Sequence, residues 1–95
     1  MSKTYFVYIM ASQRNGTLYI GMTSDLIRRS WEHREGLIEG FTKRYGVKTL
    51  VCYEIFDDVH AAIHRETRMK KLTRKRKLEM IGAMNPQWRD LAASL

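Results

Sequence analysis

The sequence predicts an α+β fold, a small sheet with helices packed around it, in the order β-β-α-β-α-α followed by a short C-terminal helix. Three observations predict it. Tyr5 to Met10 is an unbroken β-branched and aromatic run. Thr17 to Met22 alternates, with Leu18, Ile20 and Met22 on one face and Tyr19 and Gly21 on the other. Beyond residue 58 the apolar positions recur at helical rather than strand spacing.

The first two strands are joined by Ala11 to Gly16, which holds Asn15-Gly16, a strong short hairpin signal. A tight Asn15-Gly16 turn places Tyr8 opposite Thr23, and a six-residue loop places it opposite Tyr19. Either way Tyr8 and Tyr19 share a face, because strand side chains alternate with period two. Thr23 or Ser24 then caps a helix that runs to about Glu35 and stops before Gly36. Gly36 to Lys48, with Gly40 and Gly46, reads as a loop or short irregular turn, and Leu50 to Phe56 as a third strand. Asp57 or Asp58 caps a second helix over Val59 to Leu72.

That helix cannot continue straight through the basic residues that follow. At about 100° per residue, Met69 and Leu72 lie on one side while Leu78 and Ile81 lie about 120° away. A break at Thr73, itself a good cap, lets both pairs reach the core. Gly82 is expected to end the third helix. Asn85-Pro86, a cap followed by proline, opens a terminal helical turn carrying Trp88 and Leu91.

Ninety-five residues suit one domain, residues 1–95, with a single modest core. There are 17 Lys plus Arg against 10 Asp plus Glu, a net charge of +7, which points to a polyanionic partner and to nucleic acid ahead of a membrane surface. Cys52 is the only cysteine, so no internal disulfide forms. The N-terminus lacks a secretory leader pattern, and no apolar stretch reaches membrane-spanning length. A soluble cytoplasmic protein, on the nucleoid when bound to DNA, is the expectation.

Five side chains carry candidate chemistry. Arg29 and His33, at i and i+4, project from one helix face, where a guanidinium fork and an imidazole suit phosphoryl chemistry. The same spacing fits a solvated face, as Arg28, Glu32 and Arg34 illustrate. Glu66 lies on an apolar stripe with Ala62, Ile63 and Met69. It therefore needs either a basic partner or a cation such as Mg²⁺ or Mn²⁺. Tyr8 and Tyr19 fit cross-strand packing as well as catalysis; a phenol with an ordinary pKa near 10 needs a cation or a proton acceptor beside it. His60 and His64 lack a third zinc ligand at suitable spacing. Arg65, Arg68, Lys70, Lys71, Arg74, Lys75, Arg76 and Lys77 form a dense basic segment that reads as a phosphate-backbone contact surface. Lys43 and Arg44, interleaved with Phe41 and Tyr45, add to it.

Phe6-Val7-Tyr8, Tyr19-Ile20-Gly21, Arg29-x₃-His33 and Glu66, in that order, resemble the GIY-YIG nuclease superfamily, and in particular its small single-domain bacterial members. The second motif is intact; the first keeps its tyrosine but not its glycine. The resemblance implies a three-stranded antiparallel sheet and a metal-dependent DNA endonuclease. In that scheme Tyr8 acts as general base with His33 as relay, and Tyr19 orients water or contacts the phosphate. Arg29 stabilises phosphoryl charge, Glu66 holds the single divalent cation, and Gly21 permits close approach at the sheet. Lys43 or Arg44 fills a further basic position, and Asn85 is the candidate for a late supporting asparagine, a role that competes with helix capping. Structure-selective cleavage in DNA repair or recombination follows, with specificity from DNA shape or a protein partner. DNA is the expected substrate, and since no residue here reads or rejects a 2′-hydroxyl the sequence does not exclude RNA. The alternative is a catalytically weak or inactive nucleic-acid-binding module of the same fold.

Overall fold

The computed structural model describes residues 3–95. β1 (Tyr5–Ala11) is the central strand of an antiparallel sheet in the order β2-β1-β3, between β2 (Leu18–Thr23) and β3 (Thr49–Phe56). Burial follows from that position. Val7 to Ala11 are all buried, which is why this strand reads as a continuous apolar run rather than an alternating one.

The hairpin adopts a register between the two expected. Ser12 to Thr17 form the loop, closed by a bond from Ser12 N to Thr17 O (3.0 Å), so Tyr8 pairs with Gly21. Asn15 takes the left-handed conformation at φ 58, which asparagine tolerates. Pairing shifts by an even number of residues leave the faces unchanged, so Tyr8 and Tyr19 still point the same way.

Helix α1 (Leu26–Arg34) starts later than expected because Asp25 caps it, accepting from Arg28 N. Thr23 Oγ1 instead accepts from Asp25 N and shapes the turn before the cap. The segment expected to be loop contains a one-turn helix, α2 (Phe41–Arg44), which presents Phe41 toward β2. Helix α3 (Val59–Lys70) is capped by Asp58, and α4 (Arg74–Met84) by Thr73, whose side chain accepts from Arg76 N. The break at Thr73 therefore occurs where helical phase requires it, and Met69 and Ile81 both reach the core.

Gly82 does not end α4. The helix continues to Met84, since Gly82 faces open space and nothing there obliges the chain to turn. Nor does Asn85-Pro86 begin a helix. Asn85 is buried; its Nδ2 donates to Val51 O (3.2 Å) and Arg89 O (2.8 Å), and its Oδ1 accepts from Arg89 N (3.1 Å). Val51 is skipped where β3 bulges against β1, between the Ile9–Cys52 and Met10–Leu50 pairs. A buried carbonyl at that point needs a donor, and the Asn85 amide supplies it. Trp88 lies in the following turn, at φ 54, and Asp90 caps a short 3-10 helix over Leu91–Ser94.

Two apolar clusters flank the sheet. Val7, Ile9, Ile20, Val51, Ala62, Met69 and Ile81 pack between the sheet and α3 and α4. Tyr8, Met10, Leu26, Val47 and Leu50 form the other, closed by Tyr19, Tyr53, Leu91 and Ala92. Tyr8 and Tyr19 thus lie on the α1 side, and the C-terminal segment closes the core beneath them.

Candidate active site

The site begins with the pairing of Tyr8 and Gly21. A Cβ built on Gly21 would stand 2.5 Å from Tyr8 Oη and 2.7 Å from Cζ, so the phenol lies across β2 where only glycine leaves room. Gly21→Ala is expected to push the ring aside, costing about 1–3 kcal/mol by overpacking. Thermal melting checks this; a wild-type melting temperature for the variant would show that the ring has slack.

Helix α1 carries His33 against this phenol. His33 is buried, and its Nε2 is 3.1 Å from Tyr8 Oη. The Tyr19 and His33 ring centroids are 5.6 Å apart, and those of Tyr8 and Tyr19 6.4 Å, so three polar rings share one enclosure. His33 Nδ1 is buried without a hydrogen-bond partner among the described residues.

Burial decides the protonation states. It raises the Tyr8 pKa well above the ordinary phenol value, helped by Tyr19, Glu66 and Glu32 and opposed by Arg29. It lowers the His33 pKa below 6.5, with Arg29 pushing the same way and Glu32 opposing. Near pH 7 the pair is therefore a neutral phenol beside a neutral imidazole, an arrangement in which the phenol can receive a proton only by passing its own to Nε2.

Arg29 and Glu66 complete the set. Arg29 lies in the field of both Tyr8 and His33, and its nearest carboxylate is Glu32 at 3.5 Å. Glu66 comes from α3, in the layer on the opposite face, yet its charge also reaches the Tyr8 phenol. Its side chain is about one-quarter exposed, at 23%, and Lys70 Nζ at 3.8 Å is too distant for a hydrogen bond. A part-exposed carboxylate held so loosely fits a hard cation that keeps most of its waters and takes further oxygens from a phosphate. Among the described residues no three His, Cys, Asp or Glu side chains cluster as an all-protein metal cage.

A cleft of about 260 Å³ runs along the free edge of β2, lined by Leu18, Tyr19, Ile20, Phe41, Lys70 and Lys77. Phe41 stacks toward Tyr19 at 6.4 Å and touches Tyr45 at 4.8 Å between centroids, making an exposed aromatic ledge with Arg44 over Tyr45. The other predicted contact residues divide. Lys71, Lys75 and Arg76 are exposed, and Lys43 pairs with Glu39 at 2.9 Å. Arg74 is committed within the fold, donating to Asn15 O and Gly16 O of the hairpin loop. Arg65, in the same basic stretch, is held by both oxygens of Glu54. The Asn85 amide is occupied by backbone groups at the β3 bulge. Glu32, whose charge bears on both Tyr8 and His33, belongs to none of the sequence motifs.

The family model of the GIY-YIG catalytic domain matches residues 4–79. This chain belongs to the GIY-YIG family. It is 36% identical over 78 residues to a UPF0213 protein of Clostridium perfringens, covering 82% of this chain and 83% of that one. It is 34% identical over 88 residues to a UPF0213 protein of Syntrophus aciditrophicus, covering 92% and 98%. The solution NMR structure of a UPF0213 protein from Bacillus halodurans is similar over 92% of both chains, at a TM-score of 0.57 and 26% identity. The GIY-YIG assignment brings a nuclease family with it, and the α+β architecture of this chain agrees with that of the solved relative.

Proposed function

We propose that this GIY-YIG protein is a divalent-metal-dependent endonuclease that hydrolyses DNA phosphodiesters at structural irregularities, in repair or recombination, in the cytoplasm. The observation that carries the reading is the 3.1 Å contact between Tyr8 Oη and His33 Nε2, with Arg29 and Glu66 in the same field. A water attacks phosphorus; its proton passes to Tyr8 as the Tyr8 proton passes to Nε2, and the bond from phosphorus to the 3′ oxygen breaks, its electron pair leaving on that oxygen, which takes a proton from solvent. The neutral pair needs no resident phenolate. Arg29 neutralises charge gathering on the phosphoryl oxygens, and Tyr19 orients the water or the phosphate. Glu66 would hold the cation, which when bound supplies further neutralisation at the phosphate and the departing oxygen.

The cleft at the β2 edge supports a strand path. Lys70 and Lys77 offer charge to the backbone, and the Phe41–Tyr45 ledge offers a stacking surface to any base that a junction or flap leaves unpaired. No helix among the described residues is long and apolar enough to cross a membrane. The test is cleavage of labelled single-stranded, duplex, flap and branched DNA and of RNA, with Mg²⁺, Mn²⁺ or chelator. Metal-dependent nicking, greatest on branched or flap DNA, is expected. Binding to every substrate with cleavage of none overturns the enzyme in favour of a binding module.

A further inference from the structure

Glu32 has no part in the chemistry above, yet it pairs with Arg29 and its charge bears on both Tyr8 and His33. Its side chain is 26% exposed and faces two guanidinium groups, Arg29 Nε at 3.5 Å and Arg28 Nε at 3.8 Å. With Arg28, Arg29, Thr23, Ser24 and Asp25 it lines an open polar cleft of about 400 Å³. Asp25 is committed to the helix cap through Arg28 N, which leaves Glu32 as the carboxylate that meets the arginines. Stability is a poor explanation for it. Both contacts exceed hydrogen-bond length, and loose surface pairs of this kind contribute little.

The chemistry of the cleft gives a better one. An acidic group against two arginines occupies the charges that a substrate phosphate needs. We propose that Glu32 is a positioning residue: it holds Arg29 beside the tyrosine–histidine pair while the cleft is empty, releases it to the incoming phosphate, and then balances the imidazolium that forms on His33. The inference rests on the nuclease reading of the same site.

Two consequences of opposite sign follow. Breaking the Glu32–Arg29 pair costs binding, because the phosphate must displace a resident anion. Keeping Arg29 placed favours turnover, because the guanidinium is already where charge develops. The groups facing His33 are Tyr8 from β1, Tyr19 from β2, and Arg29 and Glu32 on its own helix. Glu32 is the negative charge among those acting on His33, so it favours the protonated ring that the relay creates.

The experiment compares wild type, Glu32→Gln and Glu32→Asp in three measurements. Binding of a fluorescein-labelled branched DNA is measured in chelator, single-turnover cleavage in Mg²⁺, and the His33 titration by NMR. In Glu32→Gln, binding is expected to tighten about twofold to fivefold, and turnover to fall about tenfold or more. Its His33 pKa is expected to move further below the wild-type value, with Glu32→Asp returning toward wild type in each. Binding and turnover that fall together in both variants, or that stay at wild-type values, overturn the proposal. If wild type cleaves nothing with either metal, the nuclease reading fails on its own. Binding and the His33 titration then decide the Arg29-holding role without any cleavage, and unchanged values in both overturn it.

Discussion

Glu66→Ala is expected to lower metal-dependent cleavage about a thousandfold, equivalent to roughly 4 kcal/mol of transition-state stabilisation. Binding to DNA in the absence of metal is expected to remain. The separation follows from the surroundings of Glu66. Its side chain is about one-quarter exposed, and its one ion-pair contact among the described residues is Lys70 at 3.8 Å, so removing it breaks no hydrogen bond. Melting temperature should therefore change little, as for other substitutions at partly exposed positions. The carboxylate charge also bears on Tyr8, and Glu66→Gln separates that effect, since it keeps the shape and removes the charge. Single-turnover cleavage across a Mg²⁺ or Mn²⁺ titration is the measurement. Wild-type rates for Glu66→Ala at low metal concentration would show that the cation, if one acts, is held elsewhere.

Much of this arrangement was legible before any coordinates, where the physics is local and periodic. Tyr8 and Tyr19 share a face in either expected hairpin register and in the one observed, because only the parity of the shift matters. The break at Thr73 followed from the angular separation of Met69 and Ile81, both of which are buried on the same sheet face. The apolar stripe of Ala62, Ile63 and Met69 was a partial guide to Glu66: Ala62 and Met69 are buried and Glu66 is part-buried, but Ile63 is exposed.

What was not legible depended on partners remote in sequence. Asn85-Pro86 has the pattern of a helix start, but the Val51 carbonyl, thirty-four residues earlier, requires a donor and takes the amide. Gly82 has the pattern of a helix end, yet the helix continues to Met84, and the space beside Gly82 is open. Gly21 was expected to bring backbones together, and its space is instead filled by the Tyr8 hydroxyl. Glu32 reads as one more charge on a polar helix. Its proposed role depends on the folded arrangement, in which the His33 face of α1 is laid on the two tyrosines and Arg28 and Arg29 line an open polar cleft.

Tyr8→Phe is expected to reduce cleavage by about a thousandfold, in the range for loss of a positioned proton-transfer group. The phenyl ring still fills the core with Met10, Leu26 and Leu50, so the fold persists. His33 then loses its Nε2 partner while Nδ1 has none among the described residues, which costs about 1–3 kcal/mol and should lower the melting temperature. The pH dependence of wild type distinguishes a relay from a resident phenolate. With His33 as acceptor, cleavage falls as pH drops through the depressed His33 pKa, below 6.5, and is level above it. Stability follows the same direction. Below pH 6.5 the unfolded chain protonates His33 while the folded one does not until lower pH, so the unfolded state binds more protons and stability declines on acidification. A phenolate base would instead give a rate that climbs with pH to beyond 10, because burial holds the Tyr8 proton on. A rate profile for kcat/KM between about pH 5 and pH 9, read beside the thermal melts, makes the choice. A steady rise across that range would remove His33 from the proton path and leave Tyr8 to act alone.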